Sequence, residues 1–343
     1  MECTSLKAPR PDRAVNEQIA TSHIRDIPTV SLDGDPQRVG TALDRACADI
    51  GFVRITDHGI DQDLERRVDE MAREFFAHDE ELKVRVAIAE GEAYGYGGYM
   101  VERLAASRGG ITPPDAKETY SIGPVDHPGD VAAIIAADPA AAFAYSPNRW
   151  PDQPAAFADT MSEYYRALGE LSERLLSLMA RGLGMPADTF ASAIDRHTSA
   201  LRLLHYPHVD PESLAPGQLR AGAHSDYGTL TLLRTDAAPG GLEVLDRRDQ
   251  WVPVAPRSDA YVVNIGDALE RWTAGRWRST VHRVQLPPRN AGNTERFSVA
   301  FFHNANWDAV ISTLAACRGD GVDEPAPITA GRHLMERFRS TQY

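Results

Sequence analysis

The chain has 343 residues, a formal net charge of -13, 43% hydrophobic residues and 25% charged residues. These proportions are typical of a folded globular protein, and no stretch approaches the ~20 apolar residues of a membrane span. The acidic balance argues against nucleic acid as a partner, because clustered Lys and Arg are needed to neutralise phosphates.

The N-terminal residues and the cysteines indicate the compartment. Residues 1–25 are polar and lack the apolar segment of a secretory signal. Cys3, Cys47 and Cys317 are odd in number and form no CxxC motif, so neither a disulfide framework nor a zinc site is predicted. We therefore expect a flexible N-terminal tail over 1–25, no membrane association and a cytoplasmic protein.

The segment from residue 26 to about 125 alternates short β-branched runs with amphipathic stretches. Apolar residues at helical spacing predict helices, and runs bounded by Gly or Pro predict strands. The predicted strands are 27–30 and 52–55, and the predicted helices are 35–50 and 61–77. The following residues, 90–122, are rich in Gly and Tyr, so we expect loops that border a pocket.

The second half of the chain changes character. Residues 131–144 are mostly alanine and are interpreted as a spacer, and the long periodic segment 153–184 predicts a scaffold helix. Beyond residue 200 come short runs typical of a sandwich or barrel: 201–206, 229–233, 242–245, 251–254, 260–265, 282–286 and 296–302. We predict a mainly β protein with helical buttresses, one domain over 26–343 with its β core at about 200–305.

Three motifs of the form His-x-Asp or His-x-Glu begin at His78, His208 and His224. The first lies at the end of a predicted helix, where positions i and i+2 diverge by about 200°. The second lies in a loop between two prolines, where a turn-capping role is expected. His224-Ser225-Asp226 lies at the mouth of a predicted strand, where residues i and i+2 share one face and suit Fe(II).

A facial triad for Fe(II) needs a second histidine from a distant strand. His282 lies within the predicted strand 282–286, whereas His303 lies where a strand gives way to a loop. His282 is therefore the better third ligand. On this evidence alone, a core histidine with satisfied hydrogen bonds remains the alternative for His282.

Fourteen residues beyond His282 stands Arg296-Phe297-Ser298, in which Arg296 and Ser298 share one strand face. An inward arginine is costly unless it is paired. A dicarboxylate would supply the pair, because one carboxylate accepts a forked bond from the guanidinium and a further bond from the serine hydroxyl. Tyr206 adds another hydroxyl, and an exposed strand edge is the alternative reading of Arg296.

Taken in order, these motifs resemble the isopenicillin N synthase-like superfamily of Fe(II)/2-oxoglutarate oxygenases, over roughly residues 27–340. In that family His-x-Asp is followed by a distal His and then by Arg-x-Ser, and here the two intervals are 56 and 14 residues. Pro113-Pro114-Asp115-Ala116-Lys117-Glu118 is also similar to the family's N-terminal region. The resemblance implies a double-stranded β-helix, or jelly roll.

The resemblance further implies which residues bind each cofactor. It assigns Fe(II) to His224, Asp226 and His282. It assigns 2-oxoglutarate to Arg296, Ser298 and Tyr206, although Leu204 stands where plant members carry the asparagine of their Asn-x-Tyr motif. Candidate substrate residues are Tyr99, Arg103, Arg202, Trp272 and Phe301.

The implied reaction consumes dioxygen and 2-oxoglutarate, releases succinate and carbon dioxide, and oxidises a small molecule of specialised metabolism by hydroxylation, desaturation or cyclisation. Two alternatives stay open at this point. One is a 2-oxoglutarate-independent iron oxidase of the isopenicillin N synthase type, in which Arg296 and Ser298 bind a substrate carboxylate. The other is a non-catalytic jelly-roll binding protein.

Overall fold

The computed structural model of the protein describes residues 26–109, 112–210, 213–319 and 324–339, so the tail predicted over 1–25 lies outside the described residues. The strands are β1 (Thr29–Ser31), β2 (Phe52–Thr56), β3 (Gly95–Gly97), β4 (Glu118–Ile122), β5 (Ala200–Tyr206), β6 (Ala221–His224), β7 (Leu230–Thr235), β8 (Leu242–Leu245), β9 (Trp251–Pro253), β10 (Tyr261–Ile265), β11 (His282–Val284), β12 (Arg296–His303), β13 (Val310–Ile311) and β14 (Ile328–Thr329). The helices are α1 (Pro36–Asp49), α2 (Gln62–Ala77), α3 (Glu80–Lys83), α4 (Val131–Ala137), α5 (Ala141–Ala144), α6 (Phe157–Gly182), α7 (Ala191–Ile194), α8 (Asp267–Trp272) and α9 (Ala330–Arg339).

Two sheets build the β core. The major sheet has the order β1-β2-β10-β7-β12-β5-β4-β3, and the minor sheet has the order β6-β11-β8-β9. Leu242 and Val244 of the minor sheet pack against Phe52 and Val262 of the major sheet, so the two sheets face each other. The sheets remain open instead of closing into a barrel, and the predicted jelly-roll class is confirmed.

Alternation along β12 decides what each face of the major sheet contacts. Phe297 packs against Phe76 of α2, and Phe301 packs against Tyr165 of α6, so these side chains face the helical layer. Ala300, which lies between these two residues on β12, packs instead in a cluster that includes a residue of the minor sheet. The even-numbered positions of β12 therefore face the space between the two sheets.

Helical periodicity located the main helices closely, with two deviations. α6 begins at Phe157 and not near residue 153, because residues 154–157 first form a turn in which the Phe157 N–H donates to the Pro154 carbonyl. Residues 131–144, predicted as a spacer, instead contain α4 and α5, since alanine has the highest helix propensity. Among the described residues, no helix combines the length and apolar composition needed to cross a membrane.

Candidate metal centre

His224, Asp226 and His282 converge at one end of the minor sheet. His224 ends β6, His282 begins β11, and the two residues are direct cross-strand partners. The Asp226 Oδ1 atom lies 3.7 Å from the Nε2 atom of each histidine. We expected Asp226 to share a strand face with His224, but β6 ends at His224 and Asp226 lies in the turn that follows.

A hydrogen bond at Nδ1 of each imidazole leaves Nε2 free to bind a metal ion. The Nδ1 of His224 lies 2.7 Å from the Gly222 carbonyl, and the Nδ1 of His282 lies 3.1 Å from the Thr280 carbonyl. A carbonyl only accepts, so each Nδ1 carries the proton and each Nε2 keeps its lone pair. Burial lowers the pKa of His224 below its usual range, which favours this neutral form.

The Asp226 carboxylate is oriented in the same way. Its Oδ2 accepts bonds from the Thr231 hydroxyl at 2.6 Å and from the Asn264 amide at 2.7 Å. Burial raises the pKa of Asp226, but the positive charge that either histidine carries when it is protonated and the two hydrogen bonds outweigh burial, and the net effect lowers the pKa. The anion therefore presents Oδ1 to the point where both Nε2 atoms meet, which fits a divalent metal ion with one carboxylate and two imidazole ligands.

The other candidate histidines lie elsewhere. Within the part of the chain that the structure describes, the triad alone brings three potential His, Cys or acidic ligands to one point. His78 is the C-cap residue that follows α2, and the His208 ring bonds to the Thr294 hydroxyl at 2.9 Å. His303 is fully buried and bonds through Nδ1 to the Thr229 hydroxyl at 2.6 Å.

The structure also brings Arg296, Ser298 and Tyr206 together on the inner face of the major sheet. Arg296 pairs across the strands with Tyr206, and all three side chains are buried. Arg296 donates to the Asp236 and Ala238 carbonyls at 3.3 and 3.1 Å and lies 3.5 Å from the Asp236 carboxylate. The inward orientation predicted for the arginine is thus observed.

Family comparisons agree with this geometry. A model of the 2OG-Fe(II) oxygenase superfamily matches residues 197–305, and a model described as the N-terminal region of a non-haem dioxygenase in morphine synthesis matches 26–153. A 2-oxoglutarate-dependent dioxygenase of Monascus ruber is 35% identical over 86% of this chain and 87% of its own length. The chain belongs to the 2OG-Fe(II) oxygenase superfamily. The oxygenase is also 31% identical to a homoarginine-6-hydroxylase of Arabidopsis thaliana, over 85% of this chain and 84% of that protein.

Solved structures extend the agreement to the fold. A full-length Neurospora crassa protein crystallised in complex with alpha-KG matches with a TM-score of 0.79 and 31% identity over 91% of this chain and 96% of its own. A 2OG-Fe(II) oxygenase family protein of Caulobacter crescentus matches with a TM-score of 0.79 and 34% identity over 91% and 98%. The enzyme is an Fe(II)- and 2-oxoglutarate-dependent dioxygenase that acts on a small molecule, as predicted.

A second buried arginine, which sequence reasoning missed, lies beside Arg296 in the oxygenase. Arg220 is 0% exposed, donates to the Pro239 carbonyl at 2.8 Å and to the Thr294 carbonyl, and stands 5.7 Å from the Tyr206 ring. Its Nε is buried without a hydrogen-bond partner among the described residues. Burial, with Arg296 adding its charge, lowers the pKa of Arg220 to about 10.

A charged network occupies the same inner face further along β5. Arg202 bonds to Glu102 at 3.1 Å and lies 5.9 Å from the Phe302 ring. Lys117 bridges Glu102 and Asp115, at 3.2 Å from each. Burial raises the pKa of Glu102, but Arg202 and Lys117 outweigh it and lower the pKa to about 2, so the acid is charged. Sequence reasoning found Arg202 but missed Glu102 and Lys117.

The remaining substrate candidates fall in different places. Tyr99 is partly exposed, and Arg103 immediately precedes the short helical turn Leu104–Arg108. Phe301 is fully buried against α6, and Trp272 packs on Phe190 in the hydrophobic core. Phe301 therefore lies on the helical side of the major sheet and Trp272 lies in the hydrophobic core, which argues against the substrate contacts predicted for them.

Proposed function

We propose that His224, Asp226 and His282 bind the Fe(II) of this dioxygenase through two Nε2 atoms and one carboxylate oxygen. The observation that carries the proposal is the pattern of hydrogen bonds, which occupies both Nδ1 atoms and Oδ2 and leaves one lone pair on each ligand directed at a common point. Iron bound in this way activates dioxygen and 2-oxoglutarate for C–H oxidation.

The distal carboxylate of 2-oxoglutarate is assigned to Arg296, Ser298 and Tyr206. Arg296 and Arg220 place two buried guanidinium groups at one end of the inner face, and the partly exposed Asp236 balances only part of their charge. The resulting positive charge favours a carboxylate, which the planar fork of Arg296 can bind with two parallel bonds. In the net reaction, substrate C–H, dioxygen and 2-oxoglutarate become C–OH, succinate and carbon dioxide.

The substrate is assigned to the opposite end of that face, beside Arg202, Glu102 and Phe302. Arg202 stands four residues before Tyr206 on β5, about 13 Å along the strand at ~3.3 Å per residue. The formal charges on Arg202, Lys117, Glu102 and Asp115 sum to zero. This part of the inner face therefore favours a small neutral molecule with adjoining hydrogen-bond donors and acceptors over an ion. A structure of the Neurospora crassa protein in complex with alpha-KG and thymine, 30% identical with a TM-score of 0.79, supports this class.

Two measurements test the proposed function. Wild-type protein should bind Co(II), a spectroscopic substitute for Fe(II), whereas His224→Ala and His282→Ala should not and His208→Ala should bind normally. Succinate release under oxygen should depend on 2-oxoglutarate, and neutral cyclic amides should accelerate it more than matched carboxylic acids. Retained metal binding in His282→Ala would reject the ligand assignment, and stimulation by the acids alone would reject the substrate class.

A further inference from the structure

Backbone hydrogen bonds fix the loop that carries Asp226. We call residues 225–229 the ligand loop. The carbonyls of Asp226, Gly228 and Thr229 accept bonds from the N–H groups of Asp267, Ala268 and Gly266, at 2.7, 3.0 and 2.8 Å respectively. The ligand loop is thus fixed to the start of α8 through its backbone carbonyls.

The C-terminal helix α9 makes a second set of contacts with the same loop. The His333 ring bonds through Nε2 to the carbonyl of Tyr227, the residue after Asp226, at 3.1 Å. The Tyr227 ring also packs edge-on against Phe338, with 5.6 Å between ring centroids. The triad includes no residue of α9, yet this helix contacts the backbone next to one of the ligands.

Asp267 connects α9 with both ligand-bearing segments. Its side chain is 4% exposed, and its Oδ2 lies 3.0 Å from the Arg337 guanidinium of α9. Oδ1 accepts a 2.5 Å bond from Ser279, three residues before His282, and Oδ2 lies 3.4 Å from the hydroxyl of Ser225, which separates the other two ligands. A buried carboxylate depends strongly on its charged partner, because losing that partner strands the charge.

We propose that α9 acts as a clamp, which means that it fixes the positions of the metal ligands without supplying one. Arg337 of α9 and Asp267 at the start of α8 are the positioning residues. Arg337 neutralises Asp267, and Asp267 fixes the separation between the ligand loop and the segment that leads to His282. Loss of either residue loosens ligand spacing without removing a ligand. The inference rests on the proposed triad, and its test is designed so that the two can fail separately.

The test compares four variants with wild type by anaerobic Co(II) titration of the metal-free protein, read from the visible d–d absorption. Arg337→Gln is expected to raise the Co(II) dissociation constant about tenfold and Asp267→Asn about 10–100-fold, the usual range for residues that orient metal ligands. Arg332→Gln is the matched control, because Arg332 lies on the same helix and pairs with Glu336 on the exposed surface. Arg337→Lys should restore part of the lost affinity.

Thermal unfolding of the metal-free proteins separates positioning from folding. Arg337 is half exposed, so Arg337→Gln should unfold within a few degrees of wild type while its metal affinity falls. Unchanged affinity in Arg337→Gln, or an equal loss in Arg332→Gln, would overturn the clamp. If wild type itself bound no Co(II), the proposed triad would fail; if His224→Ala lost binding while Arg337→Gln kept it, the clamp alone would be wrong.

Discussion

Replacing Arg296 by alanine should weaken 2-oxoglutarate binding by roughly a hundredfold. Arg296 is 3% exposed, and leaving one partner of a buried ion pair without its counter-charge costs about 3–5 kcal/mol. Asp236, 3.5 Å away and 25% exposed, already balances part of the charge, so the lower value of about 3 kcal/mol applies. At about 1.4 kcal/mol per tenfold, this corresponds to roughly two powers of ten in affinity.

The assay is an anaerobic titration of the Fe(II) protein with 2-oxo acids, following the metal-to-ligand absorption band. 2-Oxopentanoate has the same chain length as 2-oxoglutarate and lacks the distal carboxylate, so its affinity should change little in Arg296→Ala. Arg296→Lys should recover only part of the loss, because lysine lacks the planar fork. Arg276→Ala is the control, since Arg276 pairs with Asp44 of α1.

An equal loss for the two 2-oxo acids would refute the assignment of Arg296 to the distal carboxylate. That outcome would mean that the arginine supports the fold of the 236–238 segment, whose carbonyls it binds. No loss for 2-oxoglutarate would refute it equally.

Three further predictions concern polar side chains other than Arg296. Asn264→Leu removes one of two donors to Asp226 Oδ2 and should raise the Co(II) dissociation constant about tenfold or more; unchanged affinity would contradict the orienting role. Arg220→Met should weaken 2-oxoglutarate binding roughly tenfold, worth about 1.4 kcal/mol, and leave Co(II) affinity unaltered. Burial lowers the pKa of His197 to about 4. Below pH 6.5 this histidine is therefore protonated in the unfolded chain before it is protonated in the folded protein, and stability decreases as the pH decreases. Between pH 7 and pH 5, the free energy of unfolding measured with urea should fall by about 2 kcal/mol more in wild type than in His197→Gln. Equal losses in the two proteins would show that His197 does not cause the pH dependence.

Apolar periodicity and the order of the motifs were enough to predict much of the fold and of the metal centre. Stripes of apolar residues predicted α1 and α2 within one residue at each end, because one face of each helix packs against the sheet. The spacing of His224, Asp226 and His282 predicted a convergence that the structure shows. Strand parity also placed Arg296 inward, since Phe297 on the opposite face packs against α2.

The errors have physical causes. The same parity assigns Phe302 to the Arg296 face and Phe301 to the other, so counting from Arg296 would have placed Phe301 on the helical side of the sheet. Arg220 precedes a strand and looks like a surface charge. Its partners Pro239 and Thr294 lie 19 and 74 residues away, and only the tertiary fold brings their carbonyls to it. The loop that follows β6 is likewise fixed by long-range bonds from Gly266 and Asp267.

The most direct test of the assigned metal centre is a crystal structure of the protein grown anaerobically with Fe(II) and 2-oxoglutarate, with iron located by its anomalous scattering. We predict an iron peak bound by the Nε2 atoms of His224 and His282 and by Oδ1 of Asp226, with the distal carboxylate of 2-oxoglutarate on Arg296. An iron peak at His208 or His303, or a 2-oxoglutarate carboxylate away from Arg296, would contradict the account.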